Sequence, residues 1–139
     1  MSLDASTALL VAACLHAGFQ ATVTLAVYPA LADLPLEDWE RGHDAHSRRI
    51  TVLVAPLYGL LLATSAWSLI SGPDAATWVA LAGLAMAGGT TAAVAAPLHG
   101  RLGREGPRPA LLRRLLVADY VRSAGATIGL AGALVAAMD

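Results

Sequence analysis

Trp39-Glu40-Arg41-Gly42-His43-Asp44-Ala45-His46-Ser47-Arg48-Arg49 is a charged stretch holding two of the four histidines, and at Ile50 it gives way to an apolar run that reaches Ile70. About 20 predominantly apolar residues suffice for a helix to cross a ~30 Å hydrocarbon core. The stretch therefore reads as the place where a helix enters a membrane. Three further apolar segments of similar length lie at about Thr7 to Leu31, Thr77 to Leu98 and Leu115 to Met138. The expected fold is all-α, an integral membrane four-helix bundle with up-down-up-down connectivity, formed by residues 1–139 as one domain.

Composition agrees with this. The chain has 139 residues, 57% hydrophobic and 14% charged, whereas a soluble domain carries about 25% charged residues. A net charge of -1 excludes a nucleic-acid partner, because a polyanion binder needs an excess of basic surface. The lone Cys14 excludes an internal disulfide. The first segment is expected to be retained, although Ala30-Leu31-Ala32 has the small residues of a cleavage site. Met1-Ser2-Leu3-Asp4 lacks a basic residue, and the apolar stretch outlasts the ~7–15 residues of a signal peptide.

Orientation rests on arginine, for there is no lysine. Arg41, Arg48 and Arg49 lie in the first connection, and Arg101, Arg104, Arg108, Arg113 and Arg114 in the third, while Ser71-Gly72-Pro73-Asp74-Ala75-Ala76 has none. Cytosolic connections are enriched in basic residues, so the first and third are expected inside. Both termini and the second connection then lie outside, in a multi-pass protein of the plasma membrane. The halves follow one plan, an apolar helix ending near Pro29 or Pro97, a charged connection and a returning helix. A parallel duplication would produce this plan, though identity between the halves is slight.

The candidate functional residues are the polar ones inside the spans or at their ends. His16, Gln20 and Thr24 recur every four residues and share one stripe of the first helix. An intramembrane histidine is by default a functional-site hypothesis, set against the simpler reading of hydrogen-bonded packing between helices. Tyr28-Pro29 is expected to end this helix, with the ring at the headgroup boundary. Asp33-Leu34-Pro35 reads as the next helix start, with Asp33 as cap.

Leu36, Trp39, His43, His46, Ile50 and Leu53 then recur at three- and four-residue spacing, which turns both histidines toward the interior near the cytosolic surface. The plainer reading has them bonded to nearby carboxylates. Pro56 is expected to kink this helix. Gly83, Ala87, Gly88, Gly89, Thr90 and Thr91 permit close packing, and Pro97-Leu98-His99 delivers a third histidine to the cytosolic side. Gly100, Gly103, Gly106, Pro107 and Pro109 predict a connection too broken for helix. In the fourth segment Asp119 and Arg122 are three apart and can pair. Each costs about 2.5–3.5 kcal/mol in hydrocarbon, which implies a partner. Gly125, Gly129 and Gly132 form a close-packing seam.

Catalytic candidates are thus His16, Gln20, His43, His46, His99, Asp119 and Arg122. Glu40-Arg41-Gly42-His43 is a Glu-x-x-His unit, but a di-iron bundle needs two such units and two further glutamates. No span contains a glutamate, so a di-iron site is not expected. A single metal on His43, His46 and His99, assisted by Glu40, Asp44 or Asp119, fits by ligand type. Haem is a minor option, because His16 should lie about 20 Å deeper than the other histidines. Nothing matches a nucleophile elbow, a phosphate-binding loop or a paired-cysteine metal site.

Taken in order, His16-x-Gly18-x-Gln20, Tyr28-Pro29, His43 and His46, Pro56, Pro97-x-His99 and Asp119-Tyr120-x-Arg122-Ser123 resemble a group of small four-helix bacterial membrane proteins. More distantly, size and layout are similar to the anthrone-oxygenase-like family. That resemblance implies oxygenation of polycyclic aromatic polyketide intermediates, with no catalytic motif matched residue by residue.

Two classes of function follow. In one, a membrane-embedded enzyme takes a lipophilic small molecule from the cytosolic leaflet, by oxygenase-like or acid/base chemistry. The histidines then act as acid/base groups or metal ligands, and Arg122 holds an anionic part of the substrate. In the other, a non-catalytic binding, transport or assembly subunit uses its polar residues to lock the helices together within the lipid bilayer. Co-purification of a metal or a lipophilic ligand separates the two.

Overall fold

The computed structural model describes residues 4–138. Residues 1–3 and 139, included in the expected domain of residues 1–139, lie outside the described residues. Four helical rods account for nearly all of the rest: α1 (Ala5–Ala32), α2 (Leu36–Ile70), α3 (Ala75–Glu105) and α4 (Pro109–Ala136). The described residues contain no strand. Three rods, α1, α2 and α3, are long and apolar enough to cross a membrane, with mean hydropathies of 1.7, 1.7 and 1.6 over an 18-residue stretch of each. The fourth expected span, Leu115 to Met138, falls within α4 except for its last two residues and is not among those three. Asp119 and Arg122 interrupt its apolar character.

The helix ends obey local chemistry. The Thr7 amide donates to the Asp4 carboxylate at 2.8 Å, and the Thr77 amide donates to Asp74 at 2.7 Å. These amide bonds hold both carboxyls below their ordinary range, because they favour the charged form. Asp33 is not the expected cap. The chain enters α2 through a 3-10 turn, Leu36–Asp38, preceded by Pro35 and without a side-chain cap bond.

Two expected breaks are absent. Tyr28-Pro29 does not end α1, and Pro97 does not end α3. Each follows a π-helical turn, Val23–Val27 in α1 and Thr91–Ala95 in α3, after which the α-helix resumes. Proline has no amide hydrogen and its ring collides with the carbonyl four residues earlier. The wider turn with i→i+5 bonding accommodates both. The third connection is also shorter than its glycines and prolines suggest. Gly100 and Gly103 are helical, and only residues 106–108 separate α3 from α4. Gly106 takes the turn, with φ +78°, a conformation that costs a glycine little. Pro56 lies inside α2, which runs without interruption from Trp39 to Ile70.

Packing is closest between α3 and α4. A Cβ on Gly83 would strike the backbone of Gly129, and one on Gly132 would strike the backbone of Ala80. Gly125 meets Ala87 further along, so the two helices run antiparallel with their main chains in contact. The expected glycine seam of α4 therefore exists, while Gly89 of α3 faces open space. Leu9, Ala12 and Ala13 of α1 meet Leu61 of α2, Ala80 and Leu84 of α3, and Ala133 of α4 in one apolar cluster. A second cluster joins Val23, Tyr28 and Leu31 to Trp39, Leu98, Leu102, Leu111 and Leu115.

Between its two ends α2 is loosely covered. Val52 is 72% exposed and Leu62 73%, levels for apolar side chains that mark a surface made for an apolar neighbour. On the expected inward face of its first half, Trp39 and His43 are buried and His46 and Ile50 half-buried. Leu36 and Leu53, expected on that face, are 78% and 58% exposed.

Candidate functional site

Deep in the α1–α4 contact the expected stripe meets the expected pair. Gln20 Nε2 donates to Asp119 Oδ1 at 2.7 Å and to Ser123 Oγ at 3.3 Å, and the Thr24 and Ser123 hydroxyls share a bond of 2.8 Å. Arg122 Nη1 donates to the Tyr28 hydroxyl at 3.0 Å and lies 3.6 Å from Asp119 Oδ1. Gln20, Asp119, Arg122 and Tyr28 are all buried. The cost of placing two charges there is offset by each having a neutral partner as well as the other charge.

Tyr28 also faces His99, whose Nε2 is 3.1 Å from its hydroxyl. His99 Nδ1 in turn lies 3.4 Å from His43 Nε2. His43 stacks on Trp39 with ring centroids 5.2 Å apart, and the Trp39 indole donates to the Leu102 carbonyl at 3.3 Å. The His46 ring lies 5.4 Å from that of His99. Gly103 of α3 faces the His43 ring, and a Cβ there would stand in ordinary contact with it, at 3.5 Å. His43, His46 and His99 are thus brought together. His43 and His99 turn nitrogens toward each other. Among the described residues no group of three or more His, Cys, Asp or Glu side chains is set to hold a metal ion.

His16 stands apart from this group. Its Nε2 lies 3.4 Å from the Tyr58 hydroxyl, which bonds Thr91 at 2.7 Å. That link ties α1 to α2 and to the π-turn of α3.

Where α2 stands away from α1 and α3, a cavity of about 260 Å³ opens. Its walls include Phe19, Val23, Ile50, Val54, Ala95 and Ala96, and its polar lining is Tyr28, His46, Ser47, Thr51, Thr91, His99 and Arg122. His46 Nε2, Ser47 Oγ and Arg122 Nε are buried without a hydrogen-bond partner, and all three residues line this cavity. Buried polar atoms are nearly always bonded. A small apolar chamber with a few convergent polar groups is the usual form of a small-molecule site.

Of the residues singled out from sequence, His46, His99 and Arg122 line the chamber, and His43 and Asp119 stand behind them. Gln20 and His16 do not line it. Tyr28, Trp39 and Thr91 read from sequence only as boundary, face or packing residues, and Ser47 and Tyr58 carry no site role there. A signal existed for Tyr28, since it continues the spacing His16, Gln20, Thr24 by one more step of four. In an unbroken α-helix such a stripe drifts by about 40° per step. The π-turn at Val23–Val27 takes up the surplus and returns Tyr28 to the stripe.

No family model, curated protein or solved structure matches the chain.

Proposed function

We propose that this is a multi-pass plasma-membrane protein, a four-helix bundle of up-down-up-down connectivity with both termini outside. In this reading it is an enzyme acting by acid/base chemistry on a lipophilic small molecule taken from the cytosolic leaflet. The observation that carries the catalytic reading is the conjunction, in one chamber, of apolar walls with the unpartnered polar atoms of His46, Ser47 and Arg122. A molecule with an apolar body and one acidic oxygen matches that pattern. Arg122 would hold the oxygen, as guanidinium groups hold anions. His99 and Tyr28 would carry a proton to or from it, because an imidazole and a phenol in hydrogen-bond contact are suited to general acid/base work.

The distant resemblance to anthrone-oxygenase-like proteins names one such class, fused phenolic rings. Their first chemical step would be transfer of a hydroxyl proton to a basic side chain, leaving a phenolate oxygen that Arg122 stabilises.

The mutually bonded set Gln20, Asp119, Thr24 and Ser123 favours a second role for part of the polar core. These groups would lock α1 to α4 with no part in the chemistry.

The test is binding of 1-naphthol and its uncharged analogue 1-methylnaphthalene to the purified full chain in detergent. The expected result is saturable binding of the phenol that is weakened at least about tenfold by Arg122→Leu and little changed by Gln20→Leu, since a buried charge-assisted contact is at stake. Equal binding of both compounds would overturn the reading.

A further inference from the structure

On the opposite side of α3 from the chamber, α3 and α4 enclose a second recess of about 610 Å³. Its lining includes Arg101 on α3 and Arg113 and Arg114 on α4 at one end, and Val94, Val117 and Val121 among its apolar walls. The two helices are antiparallel, so the gradients coincide. Arg101 stands seven residues from Val94, and Arg114 seven residues from Val121, about 10 Å along each axis at 1.5 Å per residue. Both helices therefore run from arginine to valine in the same direction. The recess is polar at one end and apolar at the other.

Charge at the polar end is only partly compensated. Residues 101–114 contain five arginines and one glutamate. Glu105 is engaged by Arg101 at 2.8 Å and by Arg108 at 3.0 Å. Arg113 and Arg114 are exposed and form no ion pair among the described residues. The valines are exposed too, Val94 at 40%, Val117 at 58% and Val121 at 39%. A soluble anion would use the arginines alone and draw nothing from these apolar walls. A basic recess between membrane helices on the cytosolic side suits an anionic lipid, whose phosphate takes the arginines while an acyl chain lies on the apolar wall.

We propose that this recess is a binding site for a single anionic phospholipid, with Arg113 and Arg114 on the phosphate, Arg101 at its margin, and one acyl chain along Val94, Val117 and Val121. The proposal rests on the membrane reading of α3 and α4 and is independent of the chamber at Arg122.

The experiment is native mass spectrometry of the full chain in detergent, titrated with phosphatidylglycerol, with phosphatidylcholine of the same acyl chains, and with inorganic phosphate. Phosphatidylglycerol is expected to form a one-to-one adduct about tenfold more readily than phosphatidylcholine, as two arginines act on one charge. The adduct should drop by a similar factor in Arg113→Gln/Arg114→Gln, and also in Val117→Trp, which fills the recess and leaves the charges in place. It should persist in Arg41→Gln/Arg48→Gln, which removes equal charge elsewhere. Equal adducts with both lipids would overturn the proposal. So would loss of the adduct in the Arg41/Arg48 variant, or displacement of phosphatidylglycerol by millimolar phosphate, which would mark a simple anion site.

Discussion

One nitrogen of Arg122, Nη1, stands between the Tyr28 hydroxyl at 3.0 Å and the Asp119 carboxylate at 3.6 Å. The shorter of these contacts crosses from α4 to α1, and the longer stays on α4. Arg122 therefore does more than neutralise a neighbour three residues away. It joins the packed core at Gln20 and Asp119 to the histidine cluster through Tyr28.

Arg122→Leu is expected to lower stability by about 3–5 kcal/mol, the cost of leaving one member of a buried pair uncompensated. Asp119 would keep the Gln20 bond, which places the loss toward the lower end. Asp119→Leu should also destabilise, and the double replacement should recover most of the loss, since two apolar residues leave no stranded charge. Thermal unfolding in detergent of the three variants checks this. Single variants as stable as the parent would show that the pair is not energetically buried.

Tyr28→Phe removes one oxygen and keeps the ring. Arg122 Nη1 and His99 Nε2 both lose a partner, so the expected cost is about 1–3 kcal/mol. Tyr120→Phe is the control, because Tyr120 is 69% exposed and should change stability little. Comparable losses in the two variants would refute the role given to the Tyr28 hydroxyl.

Gly83→Ala is expected to destabilise by about 1–3 kcal/mol, the usual range for overpacking. The obstacle is the Gly129 backbone, which has no flexible end to swing aside. Gly89→Ala has open space around it and should be neutral or stabilising by up to about 1 kcal/mol, since alanine is the better helix former. The denaturation midpoint should fall for Gly83→Ala and hold or rise for Gly89→Ala.

Single cysteines at Ser71 and Glu40, in a Cys14→Ala background, test the orientation. Both positions are exposed. An impermeant thiol reagent applied to intact cells is expected to label Ser71→Cys and to spare Glu40→Cys, because arginines populate the cytosolic connections. Labelling of the Glu40 position from outside would invert the topology.

Helical class, helix number and three of the four apolar helices follow from the sequence itself, because hydropathy is a sum over neighbouring residues and needs no knowledge of what they touch. The pairing of Asp119 with Arg122 was legible for the same reason, as their spacing acts within one helix. Which helix face meets which was not legible. That depends on the rotation of one rod against another, set by backbone contact at Gly83, Gly125, Gly129 and Gly132 and by the two π-turns. The prolines and glycines misled for a related reason. Pro29, Pro97, Gly100 and Gly103 read as breakers locally, yet packing retains the helix around them. The chamber beside Arg122 is likewise a tertiary property, because it exists only where α2 stands off from α1 and α3.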